Sequence, residues 1–207
     1  MPSAHRGRSS SSNSTASFCC RRGFNYDASD RGATSSDAAS KALKERGYRI
    51  CSRKVQIGSG WRAYRDAKAK LRRWRQFQLG WASVDPATPV RRAQKVCVRA
   101  GFPGLWLLNP LKTVYVRESM RLPLPIGRSR CFSFANGTLA GHVLSGEERF
   151  AVSIDRADRS VHYSVSSFSK PDHIAARVGY PFVCLLQSAF LCHSARRFKS
   201  ECAANDA

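Results

Sequence analysis

The 207-residue sequence predicts an α+β fold in which a curved antiparallel sheet packs on a long C-terminal helix. Three patterns lead there. Short β-branched and aromatic runs crowd the stretch between Trp81 and Phe168, and amphipathic segments bracket them on both sides. Strands and helices do not alternate in the manner of βαβ units, so a Rossmann-like parallel sheet is not expected, and no repeat of roughly 20 to 50 residues is visible.

Residues 47–57, GYRICSRKVQI, read as a first strand that ends at the turn Gly58-Ser59-Gly60. A helix follows from Trp61. Its apolar positions are Trp61, Tyr64, Ala67, Leu71, Trp74 and Gln78/Leu79, at three- and four-residue spacing, with Arg62, Arg65, Lys68, Arg72, Arg73 and Arg75 on the remaining surface. Five further strands are expected in AQKVCVRA, LKTVYVRE, RCFSFA, ERFAVSID and SVHYSVSSF, the last two joined by a hairpin across Asp155 to Ser160. Residues 119–130, with Pro123, Pro125 and Gly127, read as a surface loop. Ser169 as N-cap, Pro171 in the first turn and Asp172 then predict a helix, which Gly179 and Pro181 interrupt or bend. Beyond them Phe182, Leu185, Leu186, Ala189, Phe190 and His193 form an apolar stripe that should pack on the sheet.

This organisation amounts to one α+β domain over 23–200, a disordered Ser/Arg-rich tail at 1–22 and a short C-terminal tail at 201–207. The eight cysteines contain no CxxC pair and are expected as buried thiols in a reducing compartment. The longest apolar run, Tyr180 to Cys192, has 13 residues and includes Gln187, whereas a membrane-spanning helix needs about 20. A soluble, cytoplasmic protein with no transmembrane segment is the expectation. The alternative is a plastid or other organelle, reached through the acid-free N-terminal stretch read as a transit peptide.

A formal charge of +21, from 35 basic and 14 acidic residues, raises nucleic acid or an anionic membrane surface as partners. The cations are spread over the tail, the helix after Gly60, residues 91–130 and the C-terminus, without a single arginine-rich arm. The helix face from Arg62 to Arg75 is the candidate docking surface.

Residues 137–150, GTLAGHVLSGEERF, are the most informative stretch, because Gly137, Gly141 and Gly146 each permit positive φ or a close chain approach. His142, Glu147 and Glu148 are expected where the chain bends between strands. The same stretch carries a resemblance, together with FNYDASDRGAT at 24–34, IGSGWRAY at 57–64, Trp74, GWASVDPATPV at 80–90, TVYV at 113–116, and SFSKP with GYP between 167 and 181. In these collinear motifs the chain resembles a plant and bacterial domain-of-unknown-function family with the signature GTLxGHxxxGEExF. Its element order is more distantly similar to the helix-grip fold of START and Bet v 1 proteins. That similarity implies a cavity for apolar ligands beneath the long helix; the family resemblance brings no catalytic residues with it.

The residues themselves offer His142, Glu147 and Glu148 as acid/base candidates, since an imidazole beside a carboxylate titrates near neutrality. The competing reading is structural: His142 and one glutamate bond loop backbone while the other pairs with a surface arginine. If Phe150 faces the core, Glu148 points the same way and Arg149 outward. His142, Glu147, Glu148 and His162 lack the spacing of a metal site, and no metal or cofactor is expected. Gly58-Ser59-Gly60 lacks the Walker lysine spacing and reads as a turn with an N-cap. Neither Ser145 nor Cys131 has the context of a nucleophile.

The resulting expectation is a protein that binds an apolar or amphipathic small molecule between sheet and C-terminal helix. Trp74, Trp81, Trp106, Tyr115, Phe134, Phe150 and Tyr163 would supply its contacts, with His142, Glu148 and Tyr115 as polar anchors. An enzyme using His142 or Glu148 in the same cavity is the alternative. A basic protein docking to nucleic acid or an anionic membrane surface is the second alternative.

Overall fold

Ten regular elements follow one another along the chain: α1 (Ser40–Glu45), β1 (Arg49–Ser59), α2 (Gly60–Arg72), β2 (Ala82–Ser83), β3 (Lys95–Phe102), β4 (Leu105–Arg121), β5 (Ser129–Thr138), β6 (Leu144–Ile154), β7 (Ser160–Pro171) and α3 (Tyr180–Ala203). Short 3-10 turns lie at Ala28–Asp30, Ala33–Ser35 and Arg75–Phe77. The computed structural model describes residues 22–36, 39–102, 105–121, 129–155, 157–172 and 180–203. The tail expected at 1–22 lies outside the described residues apart from Arg22, and so do 122–128 of the loop expected at 119–130.

All seven strands join one curled antiparallel sheet in the order β1-β7-β6-β5-β4-β3-β2. Strand alternation gives each strand one side chain in two to either face. Phe132, Phe134, Phe150, Val152, Ile154, Val161, Tyr163 and Val165 point to an inner face. There they meet Tyr64, Ala67 and Leu71 of α2 and Leu191, Ala195 and Phe198 of α3 in one buried cluster. Phe168 points to the outer face and packs with Tyr26, Leu43 and Tyr48, so the N-terminal segment and α1 cover that side. The architecture is the α+β arrangement expected, a curved sheet gripping a long C-terminal helix. Among the described residues, no helix is long and apolar enough to cross a membrane.

Two helix boundaries differ from the sequence reading. The helix after Gly60 stops at Arg72 instead of running to Leu79, because Trp74 takes up a left-handed conformation (φ 58°) and a 3-10 turn follows. That conformation is unfavourable for a bulky residue. Burial offsets it: Trp74 and Phe77 are 0% and 2% exposed, and full burial of such a ring stabilises by about 1.5–3 kcal/mol. The Trp74 indole also donates to the Thr88 carbonyl at 2.7 Å. At the other end, Ser169 and Pro171 belong to β7, not to a helix N-terminus, since the pairing of β6 with β7 continues to Leu144↔Pro171. The described helix begins at Tyr180 and continues to Ala203; Gly179 lies outside the described residues.

The glycine-rich stretch is also more regular than expected. Gly137 sits inside β5 and both glutamates inside β6; the chain turns only around Ala140 and Gly141. Gly137 and Gly146 are close-approach positions. A Cβ on Gly137 would strike the Tyr26 hydroxyl, and one on Gly146 would overlap the Phe168 carbonyl of β7. Gly146→Ala is expected to destabilise the fold by more than about 1 kcal/mol, lowering the urea midpoint at unchanged m-value. Gly23→Ala, where a Cβ meets nothing within 4 Å, should stay within ~0.5 kcal/mol of wild type.

Candidate functional site

β6 places its two glutamates on opposite faces, and the faces treat them differently. Glu147 pairs with Gly137 on β5 and Phe168 on β7, which puts it on the outer face. Its carboxylate is 2% exposed and accepts from the Tyr26 hydroxyl at 3.1 Å, the Gly32 amide at 2.8 Å, the Thr34 amide at 3.2 Å and the Thr34 hydroxyl. Burial raises its pKa, and these donors pull it back. The Thr34 hydroxyl also meets the Tyr115 hydroxyl at 3.0 Å. Glu147 is therefore the anchor of the N-terminal segment, and its acceptor capacity is spent there.

Glu148 pairs with Asn136 on β5 and Ser167 on β7, in the row just beyond Phe134, Phe150 and Val165 on the inner face. Its half-buried carboxyl has no hydrogen-bond partner among the described residues, and burial pushes its pKa up to about 8. Asn136 is 1% exposed, its Oδ1 accepts from the Thr113 hydroxyl at 3.0 Å, and its Nδ2 has no partner among the described residues. Gln187 of α3 crosses to the same row and the next, donating to Ser167 at 3.3 Å and Ser169 at 2.8 Å. Burial raises the Tyr163 phenol, the hydrogen bond with Ser194 opposes this, and Glu148 adds to the rise. This polar row closes one end of the aromatic inner face.

The aromatic candidates divide. Trp74, Phe134, Phe150 and Tyr163 are all 0% exposed within the inner cluster. Trp74 meets Phe134 edge-on at 5.2 Å and Phe134 lies 5.5 Å from Phe150. Phe77 and Phe190 pack on the same group, 5.3 and 6.5 Å from Phe150 and 5.1 Å from each other. Tyr163 stacks on Phe198 at 4.5 Å and its hydroxyl meets Ser194 at 2.7 Å. Trp81 lies at the rim, its indole donating to His193 Nδ1 at 3.2 Å. Trp106 is elsewhere: it is 57% exposed on β4, with the Arg99 guanidinium 5.3 Å from its ring. Tyr115 is on the outer face with Thr34, opposite the inner set.

His142 occupies the turn between β5 and β6. Its Nδ1 accepts from the Leu144 amide at 3.0 Å, and burial lowers its pKa to about 4 despite the opposing Leu144 bond and the charge of Asp172. The neutral imidazole stabilises the turn, and the three acid/base candidates occupy three separate environments. Ser145 donates to the Asn25 carbonyl at 2.9 Å. The amide of Gly60 is answered by the Arg159 carbonyl at 2.8 Å, which also accepts from Ser59, so this helix start faces the β6–β7 hairpin. Among the described residues, no group of three His, Cys, Asp or Glu side chains is placed to hold a metal ion.

Two clefts of about 390 and 470 Å³ open between the end of α2 and α3, sharing Arg197. Lys70, Arg73, Arg75 and Arg196 line them with Glu201, and none of the inner aromatic residues does. Of the polar row, Asn136, Ser167 and Gln187 were not singled out from sequence. Extending the Phe132, Phe134 alternation by two residues reaches Asn136; the Asn-Gly pair obscures it by resembling a hairpin turn.

The two perturbed groups set opposite pH limits. Glu148 has a folded pKa above its ordinary 4.5, so the stability its proton contributes is complete below 4.5 and is lost as pH rises through about 8. His142 has a folded pKa below 6.5, so its contribution is present above 6.5 and lost as pH falls through about 4. Urea titrations at pH 5, 7 and 9 should show wild type weakening toward pH 9 and Glu148→Gln weakening less.

Comparison with known proteins places this geometry in a family. Residues 27–197 match the family described as Domain of unknown function (DUF1990). The chain is 39% identical over 177 residues to a UPF0548 protein of Arabidopsis thaliana, covering 83% of each chain. It is 30% identical over 148 residues to a UPF0548 protein of Dictyostelium discoideum, covering 68% of this chain and 67% of that one. A UPF0548 protein of Deinococcus radiodurans is 29% identical over 147 residues, with 69% and 73% covered. Among solved structures, that of Ara h 8.0201 superposes with a TM-score of 0.46 at 10% identity, over 76% of this chain and 99% of the other. The signature stretch from Gly137 to Phe150 lies within the matched span, and the chain belongs to the DUF1990 family.

Proposed function

We propose that the protein binds a small amphipathic molecule in the seam between the inner face of the sheet and the N-terminal half of α3. The observation that carries this reading is the uneven grip on that helix. Leu191, Ala195 and Phe198 are buried to 4% or less, whereas Val183 to Phe190 are half-buried or exposed, with Leu185 at 65%. The loosely held half lies over the polar row of Glu148, Ser167 and Ser169, through Gln187. A helix that is firmly seated at one end and lightly seated at the other can admit an apolar chain beside aromatic side chains while its polar end reaches hydrogen-bonding groups. Trp74, Phe134, Phe150 and Tyr163 form the apolar side of this reading, and Glu148 its polar anchor.

A fluorescent apolar probe, 1-aminoanthracene, is expected to bind saturably at one site per chain. Ser167→Trp, which fills the polar row, should abolish that binding while the circular dichroism spectrum is retained. Non-saturable binding by wild type would sink the reading.

A second reading is favoured by the clefts beside α3. Lys70, Arg73, Arg75, Arg196 and Arg197 converge there against Asp66 and Glu201, in a chain of net charge +21. Such a surface suits nucleic acid or an anionic membrane surface. Binding to single-stranded RNA or to phosphatidylserine vesicles should weaken steeply between low and high salt, and the double substitution Arg196→Glu, Arg197→Glu should reduce it at low salt; insensitivity to both would remove this reading.

A further inference from the structure

We infer that the molecule held in the seam ends in a carboxylate, which Asn136 and Glu148 receive side by side; this rests on the reading that the seam binds an amphipathic ligand. The two residues are direct cross-strand partners on β5 and β6 and share the inner face. Side chains so paired have Cβ atoms about 4.5–5.5 Å apart, close enough for one headgroup to touch both.

Hydrogen-bond bookkeeping sets the polarity of the headgroup. The Thr113 hydroxyl has Asn136 Oδ1 as its one hydrogen-bond partner among the described residues, at 3.0 Å. Turning the amide over would strand both that hydroxyl hydrogen and the amide oxygen, so the orientation shown is the one that leaves fewer groups unmet. What remains is the Nδ2 group, a donor on a residue 1% exposed, without a partner among the described residues. A buried donor left unmet costs about 1–3 kcal/mol, so a native structure is expected to supply an acceptor. Beside it, Glu148 is held in its protonated form by burial and offers a second donor. Ser167, on the other side of Glu148, is engaged by Gln187.

The Asn136 Nδ2 group can only donate, and the protonated Glu148 carboxyl has one O–H to donate beside a carbonyl oxygen that accepts. A carboxylate accepts from both donors, an alcohol accepts from one and donates to the carbonyl oxygen, and an ammonium group would face the Asn136 amide hydrogens. The net charge of +21 favours the approach of an anion over that of a cation. Charge-assisted bonds to a carboxylate are also the stronger kind.

The test is calorimetric titration of the full chain with three ten-carbon probes below their micellar concentrations: decanoate, decanol and decylamine. Decanoate is expected to bind at least ~10-fold more tightly than the other two, the ratio for one charge-assisted bond. Asn136→Leu should weaken decanoate by about 10-fold and leave decanol within about 2-fold. Wild-type affinity for decanoate should fall from pH 7 to pH 9 as Glu148 ionises, and Glu148→Gln, whose amide still donates, should bind at pH 7 and lose that fall. The other titratable or charged groups on the surrounding elements, Tyr163 on β7, Arg49 and Cys51 on β1 and His193 on α3, are intact in that variant, so it isolates the glutamate. Decanol or decylamine binding as tightly as decanoate, or an Asn136→Leu variant with unchanged preference, overturns the carboxylate while leaving the seam. Failure of all three probes overturns the seam reading itself.

Discussion

A carboxyl group in the middle of a sheet covered on both faces stays ionised only where donors from the layer it points into answer it, and Glu147 is so answered. The outer layer supplies donors from Tyr26, Gly32 and Thr34, all from the segment that precedes the first strand. The rest of the segment is held by bonds of Asn25 with Leu144, Thr138 and Ser145 and by the small apolar cluster that Phe168 makes with Tyr26, Leu43 and Tyr48. The bonds specify where the segment lies as well as whether it stays. Gly137 is part of the same constraint, because the Tyr26 ring occupies the space its side chain would need.

The inner face is organised by volume instead of hydrogen bonds. Its middle is filled by Trp74 and Phe77 reaching in from the reversal after α2, and by Phe190 from α3. This is why the positive φ at Trp74 is tolerated: a straight continuation of the helix would carry these rings along its axis, away from Phe134 and Phe150. Beyond this packed middle lies the polar row, where Asn136 Nδ2 and the Glu148 carboxyl have no hydrogen-bond partner among the described residues.

Much of this was legible in the sequence because period-two and period-3.6 patterns are strong in the middle of elements. The strands around Val96, Val116, Phe134, Val152 and Val165 and the hairpin at Asp155 to Ser160 are where alternation puts them. The stripe expected on the last helix is not: Leu185 and His193 are exposed, and Leu191, Ala195 and Phe198 take the buried places. The boundaries were less legible. Ser169-Lys170-Pro171-Asp172 has the composition of a helix start, yet β6 offers a strand partner as far as Pro171, and tertiary pairing overrides local preference. Trp74 fits the helical stripe equally well, and only the aromatic partners waiting on β5 and β6 decide that it leaves it. The outer location of Tyr115 was hidden by a bulge: the pairing with β5 slips between Thr113 and Tyr115, so counting by twos from Leu111 assigns the wrong face. Trp106 illustrates the opposite case, an aromatic that alternation alone cannot place because its strand reaches beyond the helices.

The two glutamates link these observations. Their faces are set by a single register, and a slip of one residue in β6 would bring Glu148 under the N-terminal segment and Glu147 into the aromatic interior. The close contact of Gly146 with the Phe168 carbonyl resists such a slip, since any other residue brought to that point would carry a Cβ into the backbone of β7. One glycine thus helps keep a satisfied carboxylate on the outer face and an unsatisfied one on the inner face. That asymmetry is what distinguishes the adjacent acids: Glu147 anchors the N-terminal segment through bonds it makes, and the Glu148 carboxyl has no such bond among the described residues.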